Sequence, residues 1–140
     1  MNRILVIVIY SMLLVGCVNT QMYEGEERSA EQIVIIKVGK PSRAWLSNPP
    51  QLAILEIDRR AIGRGMTWDV PSFEVLPGTH TITTALAYYG YMSVQVDRTD
   101  VRRISFDTKA GETYIVFYRR NGGNWTIFVT EESSGTIVAE

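Results

Sequence analysis

From residue 32 onward the chain is a succession of short apolar runs rich in Val, Ile, Thr, Tyr and Phe, divided by Gly, Pro, Asn and Asp. None shows the 3.6-residue period of an amphipathic helix, and several alternate with the period of two that marks a half-buried strand. Gln32–Val38 is apolar on both faces as far as Lys37, which predicts an interior strand. In Leu52–Ile57 the alternation puts Ala53, Leu55 and Ile57 on one face, and in Ser72–Leu76 it puts Phe73 and Val75 together. The longest candidate, His80–Tyr89, aligns Ile82, Thr84, Leu86 and Tyr88; Arg103–Asp107 turns Ile104 and Phe106 inward. Thr113–Tyr118, Trp125–Val129 and a weak Thr136–Val138 follow. Turn chemistry separates them: Asp58-Arg59-Arg60, Leu76-Pro77-Gly78-Thr79, Lys109-Ala110-Gly111-Glu112 and Asn121-Gly122-Gly123. Eight or nine strands joined largely by short turns predict antiparallel neighbours. The economical way to bury them is an all-β, two-layer antiparallel sandwich.

The amino-terminal pattern is different. One cation, Arg3, precedes an apolar run from Ile4 to Val15, interrupted only by Ser11, and small Gly16 stands directly before Cys17. This is the order of a secretory signal. As a helix the run would span about 18 Å, short of the roughly 30 Å hydrocarbon core, so a permanent span is disfavoured. Leu14-Val15-Gly16-Cys17 resembles the lipobox of bacterial lipoproteins, which implies diacylglyceryl transfer to the Cys17 thiol, cleavage before Cys17 and acylation (palmitate or a similar chain) of the new amino terminus. More than one acyl chain anchors stably where a single chain binds only marginally. In such lipoproteins an Asp after the cysteine commonly retains the protein at the inner membrane. Val18 stands there instead, which points to the outer membrane, facing the periplasm. The stretch to Glu31 is polar, charged and without period, and reads as a tether. The expected organisation is a signal peptide at 1–16, acylated cysteine and flexible tether at 17–31, and a sandwich domain at 32–140.

Charge narrows the partners. Lys and Arg total 14 against 15 Asp and Glu, a formal net charge of −1. Loss of Arg3 with the signal makes the mature chain slightly more acidic, and no basic excess points to nucleic acid. Arg59-Arg60, Arg102-Arg103 and Arg119-Arg120 form basic pairs, read as solvated strand ends and turns or, alternatively, as contacts for lipid headgroups or polyanions. Reactive chemistry is sparse. Cys17 is the single cysteine and His80 the single histidine, so a zinc site would need carboxylates for nearly all of its ligands. No Gly-x-Ser-x-Gly elbow accompanies His80 and no calcium-loop pattern occurs. No catalytic residue, metal or cofactor is expected, and His80, just after Pro77-Gly78, reads as a ring that bonds across the turn. The aromatic residues Tyr88-Tyr89-Gly90-Tyr91 and the loop residues Trp45 and Trp68 give the one surface hint. Tyr and Trp offer large contact area at low entropy cost, which makes Trp68, Tyr89 and Tyr91 the candidate binding patch.

Three motifs carry a further resemblance. They are Leu55-Glu56-Ile57-Asp58 with Ile62-Gly63, then Phe73-Glu74-Val75-Leu76-Pro77-Gly78-Thr79-His80, then Ile104-Ser105-Phe106 with Ala110-Gly111-Glu112-Thr113-Tyr114. In this order they resemble small lipoprotein β-sandwiches of the PEGA-like or transthyretin-like kind. The chain departs from that pattern at Arg59, where a Gly usually follows the Asp, so a turn other than type I′ is expected there. The resemblance implies a fold and an envelope location and supplies no catalytic residues. The expected function is a non-catalytic, lipid-anchored module that binds an envelope protein or glycan. The alternatives are a periplasmic enzyme or accessory acting on cell-wall glycan, and a lipoprotein subunit of a secretion or envelope machine.

Overall fold

A computed structural model describes residues 19–40, 49–62, 72–89 and 93–140. Among them there are eleven strands and no helix: β1 Thr20–Gln21, β2 Val34–Val38, β3 Gln51–Ile57, β4 Arg60–Ala61, β5 Ser72–Val75, β6 Gly78–Tyr89, β7 Val94–Val96, β8 Arg102–Thr108, β9 Thr113–Asn121, β10 Asn124–Glu131 and β11 Ile137–Ala139. They form two sheets. One has the order β1-β5-β2-β9-β10-β11. The other runs β4-β3-β6-β7, with β8 sharing β6 beside β7, and curls into a half-barrel.

The all-β class is as the alternation predicts, but the pairing is not antiparallel throughout. β2 pairs in parallel with β9, and β1 in parallel with β5. Short turns dictate antiparallel pairing only between consecutive strands. β2 and β9 are separated by the whole second sheet, and no turn constrains their sense. β2 is an interior strand, lying between β5 and β9. β1 is a second departure. The sheet begins at Thr20, inside the stretch expected to be a tether. Met22 N–H donates to the Glu74 carbonyl at 2.8 Å, the Asn19 amide donates to the Glu74 carboxylate at 3.0 Å, and the Ser72 hydroxyl donates to the Asn19 side-chain oxygen.

One cluster of buried side chains joins the sheets. Val34, Ile36, Phe73, Tyr114, Val116, Ile127 and Val129 come from the mixed sheet, and Leu52, Ile54, Ile57, Ile82, Leu86, Ile104 and Phe106 from the curled one. Phe73–Val75 and Ile104–Phe106 face inward as their alternation predicts. β3 does not. Ile54 pairs with Thr84 and Glu56 with Thr83, so Leu55 is an extra residue without a partner. A bulge of this kind reverses the faces beyond it. The inward set is therefore Leu52, Ile54 and Ile57, with Leu55 only half-buried. Just past β2, position 39 is glycine for a steric reason: a Cβ there would stand 2.1 Å from the Phe117 ring, which is stacked on Phe128 at 5.4 Å between centroids.

Candidate functional site

The β3–β4 hairpin turns on two residues, and both have positive φ: 52° at Asp58 and 67° at Arg59. These are type I′ values, so the expectation of a different turn is corrected. A two-residue link in register between Ile57 and Arg60 requires that geometry. Asp enters the left-handed region more readily than most residues, and here its carboxylate is bonded across to the next hairpin. Asp58 Oδ1 accepts from Thr81 N–H at 2.8 Å, and Asp58 Oδ2 lies 2.6 Å from His80 Nδ1. The far ring nitrogen, Nε2, donates to the Leu76 carbonyl at 2.6 Å. His80 is 8% exposed. Its ring thus ties the β5–β6 turn to the β3–β4 turn and offers neither nitrogen to a substrate.

Beside this tie an open polar groove of ≈ 660 Å³ runs across the outer face of β3, β6 and β8, lined by Glu56, Asp58, Arg59, Thr81, Thr83 and Arg103. Strand register builds it: Glu56 pairs with Thr83, Thr83 with Arg103, and Thr81 with Ser105. Alternation sends these polar side chains outward while Ile82 and Ile104 point into the core. Thr83 Oγ1 donates to Glu56 Oε2 at 3.4 Å, and Thr81 and Ser105 hydroxyls lie 2.7 Å apart. The Arg59 and Arg103 side chains are exposed and make no ion pair or hydrogen bond to another described residue. The groove therefore presents guanidinium donors, hydroxyls that both donate and accept, and the Glu56 carboxylate. That inventory suits a neutral or zwitterionic polar ligand better than a polyanion. Asp58 is committed to Thr81 and His80, so no free pair of carboxylates of the acid–base kind forms here. Among the described residues no group of three or more His, Cys, Asp or Glu could hold a metal.

The sequence marks Arg59 only as half of a basic pair and as the departure from the turn pattern; the fold sets it with Arg103 on the lining of this groove. A non-glycine residue at positive φ costs on the order of 1–2 kcal/mol. Arg59→Gly is expected to raise stability by about 0.5–1 kcal/mol, seen as a rise of roughly 3–5 °C in Tm, while weakening capture of any partner that uses the groove. A fall in Tm would show that Arg59 holds the turn.

The predicted patch is only partly in view. Tyr89 ends β6, half-buried, its phenol pushed up from the ordinary tyrosine range by burial. Trp68 and Tyr91 lie outside the described residues, as do Trp45 and the lipidation candidate Cys17. No family model, curated protein or solved structure matches the chain.

Proposed function

We propose that the chain is a lipid-anchored, non-catalytic lipoprotein of the cell envelope, held by acylated Cys17 in the outer membrane and facing the periplasm. Its domain is a β-sandwich-type module, similar in its turn motifs to the PEGA-like and transthyretin-like lipoproteins, that binds an envelope protein or glycan. The observation that carries this reading is the single cysteine at the lipobox position, followed after two residues by chain docked on β5. The groove is well placed for a partner in the periplasm. β1 enters the mixed sheet at the Ser72 end of β5, whereas the Asp58–Arg59 turn lies toward the Val75 end, where Arg60 donates to the Met22 carbonyl at 2.7 Å and pairs with Glu24 at 2.9 Å. A ligand reaches Arg59, Thr81 and Arg103 without passing the anchor.

Metabolic labelling with a palmitate analogue tests the anchor. The native chain should incorporate label and partition with membranes, and Cys17→Ala should lose the label and retain its leader. Label on both chains, or on neither, overturns the reading. Crosslinking in intact cells, with Arg59→Ala/Arg103→Ala as the comparison, should yield a partner captured by the native chain and lost from the variant.

A further inference from the structure

We infer that the outer end of the β9–β10 hairpin rests on the bilayer that holds Cys17 and binds its anionic phospholipid headgroups; this rests on the lipid-anchor reading above. The argument is one of lengths. Asn19 is bonded to Ser72, Ser72 pairs with Lys37, and Lys37 pairs with Ile115, so all four stand at one level of the sheet. β1 runs with β5, β5 against β2, and β2 with β9, so β9 continues toward the side from which the chain enters β1. From Ile115 it passes through Arg119 and Arg120 to Asn121, an overhang of about 20 Å at ~3.3 Å per residue. Only Val18 separates Asn19 from Cys17, and that link spans about 7 Å at full extension. Sheet twist of about 20–25° per strand turns β9 by roughly 60–75° across the three steps from β1, which leaves the hairpin tip about 5–10 Å beyond Asn19 along the line of entry, level with a Cys17 held at most about 7 Å away. A lipid-bound Cys17 lays the hairpin against the headgroups, because the link is too short to hold it clear. A free tether of some fifteen residues would have let the domain wander to about 20 Å, beyond the ~8 Å over which charge acts in physiological salt. A two-residue link keeps it inside that range.

The side chains match the surface they would meet. The side chains of Lys40, just past Gly39 at the end of β2, and of Arg120 are exposed and have no ion pair or hydrogen bond with another described residue. Arg119 lies over the Phe128 ring at 5.2 Å, with Glu140 3.8 Å away. Tyr88 and Val101, 41% and 38% exposed, add apolar surface at this end. Of the nearby acids, Asp100 is offset by Arg102 and bonded by Trp125, while Asp97, held as a carboxylate by its bonds from Thr99, keeps its charge. The opposite end carries more acid than base: Glu26, Glu27, Glu31 and Glu112 stand beside Arg28, Arg59 and Lys109, and Glu24 is paired with Arg60. An anionic leaflet attracts one end and repels the other.

The test uses the mature lipidated chain in vesicles of phosphatidylethanolamine with and without phosphatidylglycerol. Acylation consumes Cys17, so a cysteine introduced at Asn121→Cys or Lys109→Cys is a unique thiol for a fluorophore. The mass of the mature chain reports acylation separately. A headgroup-borne quencher should quench the Asn121→Cys label several-fold more than the Lys109→Cys label. The difference should grow with phosphatidylglycerol and shrink when Lys40→Glu/Arg119→Glu/Arg120→Glu is added, with the folded signal and membrane fraction unchanged. Equal quenching at the two positions, or indifference to charge reversal in an acylated chain, overturns the inference. A chain that is never acylated overturns the anchor reading instead.

Discussion

Trp125→Ala is expected to destabilise the domain by about 3–5 kcal/mol, a large part of the roughly 5–15 kcal/mol that a domain of this size holds. Trp125 is 4% exposed and joins the sheets near the hairpin end of β10. Its indole N–H donates to Asp100 Oδ2 at 2.7 Å, and the Arg102 guanidinium lies 5.0 Å over its ring while Arg102 Nε donates to the Trp125 carbonyl at 3.3 Å. Arg102 also pairs with Asp100, closing the set. Alanine removes the volume, the donor and the ring face together. Trp125→Phe keeps most of the volume and a ring for Arg102. It should cost about 1–2 kcal/mol, the scale of one lost hydrogen bond to a charged acceptor. Asp100 is half-exposed, so water replaces much of its bond, and Asp100→Ala should cost less than either. Urea unfolding of the three variants checks the order. A Phe variant as unstable as the Ala variant would place the energy in the hydrogen bond rather than in packing.

The sequence shows its strands where a residue's neighbours decide its face. Ile104 and Phe106 in β8, and Phe73 and Val75 in β5, alternate with polar residues, and each pair is buried as expected. The Asn121–Asn124 hairpin was legible for the same local reason, its turn residues carrying the required backbone freedom. The misses are all non-local. The bulge at Leu55 depends on how β3 meets β6 and has no mark in Leu52–Ile57 itself. The parallel pairing of β2 with β9 is a choice between distant strands. β1 is two residues long and polar, and its register comes from Glu74 and Ser72, which lie more than fifty positions on. The groove escaped notice because its residues alternate outward on three strands and read, one at a time, as ordinary solvated positions. The Asp58-Arg59 turn was visible but judged by the intrinsic cost of Arg59. The carboxylate bonds of Asp58 and the two-residue link overrode that cost.

Those bonds set the second large effect. His80→Ala is expected to cost about 2–4 kcal/mol, because it empties a buried site and leaves the Leu76 carbonyl without its donor. Asp58→Ala should cost less, about 1–2 kcal/mol: its side chain is 43% exposed against 10% for His80, so water takes over some of its bonds. The two act through one short contact, and the double variant should therefore fall short of the sum by about 1–2 kcal/mol. Asp58→Asn separates the contributions. The amide oxygen still accepts from Thr81 N–H and the residue still tolerates φ 52°, whereas the second carboxylate oxygen facing His80 Nδ1 is replaced by an amide nitrogen. If the single costs simply add, the ring and the carboxylate support the two turns separately. If they couple, the β3–β4 and β5–β6 turns form one unit. The positive φ of Arg59 is then enforced from the next hairpin, and the groove beside it is held open by a histidine that no ligand touches.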